Sequence, residues 1–312
     1  MGITTTDQLS EVERRLREVL AGADMATHLI DAGGKRLRPR LALLGARFGD
    51  PARPQVVDAA VVTELVHAAT LHHDDVMDDA PRRHGVPTAN ALWGNNLAVL
   101  LGDLLLARAA ELAVDLGQDA LRLQATTLAR LVNGQLLEAT RPRDTDPMTH
   151  QLRVMADKSA SLIAMSVELG ARVAHAPDEH ARALARYGEL LGIAFQISDD
   201  VIDICSPATE SGKTPGTDLR EGVPTVPVLH AVAGDDPGAR RLRVILATGA
   251  VTDDARHAEA LALLRSSPGL AEARADVHRY VDLAVAELGP LPPAEAREAL
   301  RDLAYSVRNR TA

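Results

Sequence analysis

Apolar side chains recur at spacings of three and four along almost the whole chain. Leu9, Val12, Leu16, Val19 and Leu20 form one such stripe, and Ile163, Val167, Gly170 and Val173 form another; this is the periodicity of helices that turn one face toward a core. Breakers divide the pattern at Gly33-Gly34, Pro51 to Pro54, Pro81 to Pro87, Gly117, Pro142 to Pro147, Pro177, Pro207 to Pro215, Pro224 to Pro227, Pro237, Pro268 and Pro290 to Pro293, giving roughly a dozen helical pieces. Alternating runs of β-branched residues bounded by turns do not occur, so strands are not expected. The pattern predicts an all-α protein. No linker composition separates its halves, and a single large helical domain over residues 1–312 is expected.

Charge narrows the choice of partner. The chain carries 43 Asp and Glu against 34 Lys and Arg, a formal net charge of −9, which argues against nucleic acid because a phosphate backbone calls for a basic surplus or stripe. The best candidate for a membrane span, Leu97 to Ala113, contains Asp103 and Arg108 and falls short of the uncharged run of about 18 residues that spanning needs. A soluble protein, peripheral at most, is expected. Cys205 is the only cysteine, so an internal disulfide is impossible and a reducing compartment fits. The first residues, MGITTTDQLSEVERR, lack the basic and apolar regions of a signal peptide, which makes the cytoplasm the expected location.

Two acidic motifs stand out. Asp74-Asp75-Val76-Met77-Asp78 and Asp199-Asp200-Val201-Ile202-Asp203 share the pattern Asp-Asp-x-x-Asp, each at the end of a long apolar helical run. On a helix the first and last aspartate of each motif share a face, while the second is rotated by about 100°. Carboxylates crowded in this way repel unless they are protonated or share a cation, and an all-oxygen set suits Mg2+ together with substrate phosphates. A solvated acidic helix end is the alternative for one motif alone. Two copies weaken it.

Concentrated cations lie nearby in sequence. Gly33-Gly34-Lys35-Arg36-Leu37-Arg38-Pro39-Arg40 is a glycine-opened basic segment, and Arg82-Arg83 follows the first acidic motif. In an acidic protein such clusters suit a small anion better than a polyanion. Gly212-Lys213-Thr214 imitates the end of a phosphate-binding loop, but Pro207 stands where that loop requires glycine, so Lys213 is kept only as a point cation on a flexible loop.

Together these segments resemble the trans-isoprenyl diphosphate synthase (polyprenyl synthetase) family of bacterial type, over most of the chain. The resemblance rests on the Gly-Gly-Lys-Arg-x-Arg-Pro segment, both Asp-Asp-x-x-Asp motifs, Arg82-Arg83, Phe195-Gln196 and GKTPGTDLREGVPTVP at 212–227, all in family order. It implies an all-α fold with helices around a central cavity and a Mg2+-dependent condensation of isopentenyl diphosphate with an allylic diphosphate. Lys35, Arg38, His67 and Arg83 match positions that hold isopentenyl diphosphate. Arg82, Lys158, Lys213 and Gln196 match those that grip the allylic diphosphate, with Ser159 where threonine is usual after the lysine. Asp74, Asp78 and Asp199 match the principal metal ligands, and Asp75, Asp200 and Asp203 act as further ligands or through water. His72 stands where an aliphatic residue is common, and Glu138 where aspartate is often seen. The family is usually dimeric, so a homodimer is expected.

A charge argument explains the metal. Each carboxylate about 6 Å from each unit of diphosphate charge repels it by about 3 kcal/mol at an effective dielectric of about 20. Three Mg2+ formally cancel the six aspartates and bridge to the leaving diphosphate. Product length follows from the helix that ends in the first motif, along which the resemblance places the growing tail. Thr70 and Ala69 precede Asp74, followed by Val66, Thr63 and Ala59, and none is a bulky aromatic. This open wall predicts geranylgeranyl or longer products, unless Met155, Leu162 or Trp93 supplies a floor from another helix. A class I terpene cyclase would use the same metal chemistry but favours aromatic walls for its cations, and six aromatic residues in the whole chain line a cavity poorly. The other rival, a non-catalytic subunit of a heteromeric synthase, would be expected to have lost one acidic motif.

Overall fold

A computed structural model describes residues 5–140, 145–205, 215–247 and 249–311. The all-α class expected from the periodicity is observed: the described residues form helices, joined by short turns and one two-residue hairpin. Their contacts gather into two compact units, each drawn from several stretches of chain: within Met1–Arg130, Ser161–Gly188 and Pro290–Ala299 for the first, and within Leu131–Ala160, Glu189–Gly289 and Leu300–Ala312 for the second.

The first unit is organised on one apolar helix. α1 (Thr5–Val19), the short α2 (His28–Asp31), α3 (Leu37–Ala46) and α4 (Gln55–Met77) are followed by the hairpin strands β1 (Arg82–Arg83) and β2 (Val86–Pro87), then α5 (Ala89–Trp93), α6 (Asn95–Leu116) and the start of α7 (Gln118–Thr140). α4 buries residues all round its first five turns, including Val56, Ala59, Val62, Leu65 and Val66. A helix apolar on every side belongs inside its unit, and α4 packs against α1, α3, α6 and α9 (Ser161–Val173). The sequence stripe of α1 is met in the structure, with Val12, Leu16 and Leu20 buried. α3 crosses α9 so closely that a Cβ on Gly170 would meet the Ala42 carbonyl and one on Gly45 the Val167 carbonyl.

Connections carry the local signals read from sequence. The hairpin departs from the strand-free expectation for a definite reason: His84 and Gly85 both have positive φ, the requirement of a tight primed turn, and two-residue strands are too short to show alternation.

The second unit holds the end of α7, α8 (Pro147–Met155), a π-helical turn over Ala156–Ala160, the C-terminal part of α10 (Asp178–Cys205), α11 (Thr217–Glu221), α12 (Val226–Ala233), α13 (Pro237–Leu246), α14 (Asp254–Ser266), α15 (Pro268–Glu287) and the end of α16 (Glu295–Asn309). Asp146, Asp236, Asp253 and Ser267 cap α8, α13, α14 and α15 by accepting from backbone N–H groups of the first turn, as capping requires. α12 packs on α15, where Gly269 leaves room for the backbone of Ala231.

Candidate active site

In the first unit a half-exposed stripe runs down α4. His67, Thr70, Leu71 and Asp74 are partly exposed and Asp78, the C-cap, is exposed, at the three- and four-residue spacing that defines one helix face. Asp75 lies off that stripe and is wholly buried. Its Oδ1 accepts a 2.5 Å bond from Nε of Arg83, its main-chain carbonyl accepts from the Asn90 amide at 3.2 Å, and its Oδ2 is buried without a partner. Burial raises the Asp75 carboxyl above its ordinary value, against the lowering by Arg83. The hairpin explains how adjacent arginines part company: neighbouring strand residues point to opposite faces, so Arg83 turns in to Asp75 while Arg82 stays exposed and donates to the Gly85 carbonyl at 2.5 Å.

The basic segment enters α3 through a turn with positive φ at Gly33, Gly34 and Arg36. Lys35 is exposed and Arg38 half-buried. Burial lowers the Arg38 guanidinium to about 10, with the Glu64 carboxylate acting in the opposite sense, and Arg38 remains charged at neutral pH. Burial, then the charges of Arg38, His84, Arg83 and Arg36, push His67 well below its ordinary 6.5. His67 is therefore a neutral hydrogen-bonding group among cations at pH 7.

The residues singled out for product length divide. Thr70 lies on the half-exposed stripe, its hydroxyl donating to the His67 carbonyl at 2.9 Å, whereas Ala69 and Val66 are buried in the unit's interior.

The second unit presents its own acidic cluster on α10. Asp199 Oδ1 accepts a 2.6 Å bond from Nη2 of Arg310, whose guanidinium lies 4.7 Å from the centre of the Phe195 ring. Asp200 Oδ2 accepts from the Val226 N–H at 3.2 Å. Asp203 receives the N–H groups of Thr217 and Asp218, each at 3.3 Å, at the start of α11. Burial raises Asp200 well above the ordinary carboxylate value, as do the neighbouring carboxylates of Asp218, Asp199 and Asp203, while the Val226 N–H opposes the rise. Gln196 is half-buried on the same helix.

Lys158 and Ser159 sit in the π-helical turn, a local widening that re-aims side chains and is frequent at functional sites. Lys158 forms an ion pair with Glu138. Gly134, one turn before Glu138, has no room for a Cβ beside the Lys158 backbone. Lys213 lies outside the described residues.

The donors available to a cation are carboxylate oxygens. Among the described residues no group of three or more His, Cys, Asp or Glu stands ready to hold a metal ion. Mg2+ does not require one, since it binds through one or two carboxylates and completes its shell with water and phosphate. Burial and, after it, carboxylate crowding raise Asp200; a divalent cation would relieve the crowding, so the oxygen donors present fit a divalent cation.

Three residues of these clusters escaped the sequence reading. Asp218 was visible only as part of the 212–227 segment, Glu138 only as a departure from the family pattern, and no sequence signal distinguished Arg310, just past the end of α16, from the arginines within that helix.

An all-helical fold with two Asp-Asp-x-x-Asp motifs and clustered cations is that of an isoprenoid synthase. The polyprenyl synthetase family model matches residues 21–264, and the chain belongs to that family. It is 46% identical over 310 residues, 98% of this chain and 92% of the relative, to a nonaprenyl diphosphate synthase from Mycobacterium tuberculosis (strain ATCC 25618 / H37Rv). It is 37% identical over 312 residues, 98% of this chain and 96% of the relative, to heptaprenyl diphosphate synthase component 2 from Geobacillus stearothermophilus. A crystal structure of geranylgeranyl pyrophosphate synthase from Corynebacterium glutamicum, complexed with calcium and isoprenyl diphosphate, superposes with a TM-score of 0.90 at 46% identity, covering 99% of this chain and 96% of that one.

Proposed function

We propose that the chain makes geranylgeranyl diphosphate or a longer all-trans polyprenyl diphosphate, acting as one catalytic domain over residues 1–312. The protein is a transferase that condenses isopentenyl diphosphate with an allylic diphosphate to a trans-polyprenyl diphosphate. Ionisation of the allylic C–O bond leaves a carbocation, the alkene of isopentenyl diphosphate attacks it, and loss of a proton completes the new double bond. The diphosphate released is the acceptor of that proton, so no protein nucleophile or general base is assigned.

The chain's own residues bind and orient. Lys35, Arg38 and Arg83 hold the isopentenyl diphosphate by charge, with neutral His67 as a hydrogen-bonding partner. Arg82, Lys158 and Lys213 hold the allylic diphosphate, assisted by Gln196 and Ser159. Asp74, Asp78 and Asp199 are the principal ligands of three Mg2+, which supply Lewis acidity toward the leaving diphosphate. Asp75, Asp200 and Asp203 act as further ligands or through water, Asp75 with one oxygen already bonded to Arg83. The calcium in the Corynebacterium structure supports a divalent-ion site in that relative and, by its likeness, here.

One observation carries the product length: the stripe of α4 leading away from Asp74 holds Thr70 and no aromatic residue. The relatives carry names of varied product length, from a short chain isoprenyl diphosphate synthase to a nonaprenyl diphosphate synthase, so the length assignment rests on the α4 stripe. Among the described residues no helix is long and apolar enough to cross a membrane; we assign the enzyme to the cytoplasm, with a peripheral membrane encounter for release of the lipid product. A homodimer is supported by the exposed apolar side chains Val99, Leu100 and Val114 of α6.

Chromatography of products made from geranyl, farnesyl and geranylgeranyl primers tests this reading. Products of geranylgeranyl size or above are expected, and Thr70→Phe shortens them. A wild-type product no longer than farnesyl overturns the length assignment.

A further inference from the structure

Arg36 turns inward from the basic segment. Its Nη1 donates to Oε1 of Glu64 at 2.7 Å and its Nη2 to the Ile30 carbonyl at 2.6 Å. Glu64 on α4 is 7% exposed, so its carboxylate is buried beside a guanidinium and is the natural counter-ion there. Arg36 also has a φ of 47°, a left-handed conformation that a side chain other than glycine, Asn or Asp seldom adopts without being held. With Gly33 and Gly34 at positive φ just before it, the entry to α3 is a turn whose backbone freedom must be restricted from outside.

Position links this anchor to the diphosphate site. Lys35 precedes Arg36, Arg38 follows it by two residues, and His67 lies one turn beyond Glu64 on α4. The charge of the Glu64 carboxylate also favours the protonated form of Arg38. From these contacts we infer that Glu64 is a positioning residue for isopentenyl diphosphate: through Arg36 it fixes the Gly33–Arg38 turn in the shape that presents Lys35 and Arg38 to the anion. Arg36 is then an anchor and not a substrate cation, although it belongs to the same basic run. Glu64 has a second effect, because a buried negative charge beside Arg36 and acting on Arg38 offsets part of their mutual repulsion and keeps these cations together before substrate arrives.

This inference rests on the assignment of Lys35 and Arg38 to isopentenyl diphosphate, so the test separates the two. Steady-state kinetics of Glu64→Gln, Arg36→Gly, the double variant and Arg38→Gln are compared with Mg2+ saturating, varying each substrate in turn. Arg36→Gly keeps a backbone that tolerates positive φ and removes the anchor; it carries the test should Glu64→Gln fail to fold by circular dichroism. The KM for isopentenyl diphosphate is expected to rise by on the order of tenfold in Glu64→Gln and in Arg36→Gly, the size expected for a displaced charge-assisted contact. The KM for the allylic primer stays within about twofold, and the double variant is no worse than either single one, because both break the same link. Equal losses toward both substrates, or an unchanged KM for isopentenyl diphosphate while Arg38→Gln raises it, overturn the inference alone. An unchanged KM in Arg38→Gln overturns the site assignment and the inference with it.

Discussion

His72 is fully buried in α4, and neither ring nitrogen has a partner. Burial, then the nearby charges of His73 and His28, lower its ring to about 4. Because the unfolded ring titrates near 6.5, the unfolded chain takes up the proton first as pH falls. The stability His72 contributes in neutral form is present above about 6.5 and is lost as pH descends toward about 4. Replacing His72 by leucine removes a buried unpartnered donor, so the variant should melt higher at pH 7, by about 1–3 kcal/mol in unfolding free energy. Its melting point should also fall less steeply between pH 6.5 and 4 than the wild type's; equal slopes would contradict the assignment. A second expectation concerns Arg310, which neutralises Asp199 in the structure. Arg310→Gln should bind Mn2+, a spectroscopic substitute for Mg2+, more tightly in the absence of substrate, because the cation no longer competes with a guanidinium for the carboxylate. Paramagnetic resonance titration reads this directly, and unchanged affinity would exclude the competition. Residue identities in the two acidic motifs were legible from the sequence because helical spacing fixes which carboxylates share a face. The pairing of Asp75 with Arg83 and the cap that Asp203 provides to α11 were not, since both depend on groups brought from other segments.

At the scale of elements, the crossing of α3 and α9 depends on two glycines that give their backbones close approach. The sequence showed Gly170 as part of an apolar stripe, which located the helix and its buried face. It did not reveal that Gly170 meets Ala42, or Gly45 Val167, because a one-dimensional pattern carries no information about which carbonyl lies opposite. Gly170→Ala forces its Cβ into a carbonyl oxygen and should cost about 1–3 kcal/mol, measurable as a lower urea midpoint at unchanged slope. A loss below about 0.5 kcal/mol, the size of an ordinary surface change, would show that the helices separate freely. The π-helical turn at Lys158 and the hairpin at Arg82-Arg83 were likewise outside the reach of periodicity. Each is shorter than the window needed to recognise a period, yet each sets the direction of a cation.

For the molecule as a whole, apolar surface and charge point to different partners. Leu100 is 61% exposed on α6, and Leu100→Glu should shift a homodimer toward monomer in sedimentation; a wild-type protein that sediments as a monomer would remove that proposal. The net charge of −9 argues against a nucleic-acid partner, and the six aspartates of the acidic motifs, where we propose the divalent cations, amount to two-thirds of it. The scarcity of aromatic residues argues in the same direction, toward transfer between two substrates and away from cyclisation of one. The decisive measurement follows diphosphate release and isopentenyl incorporation together, with labelled isopentenyl diphosphate, farnesyl diphosphate and Mg2+. One isopentenyl unit should enter an extended chain for each diphosphate released, and release without incorporation would contradict chain elongation.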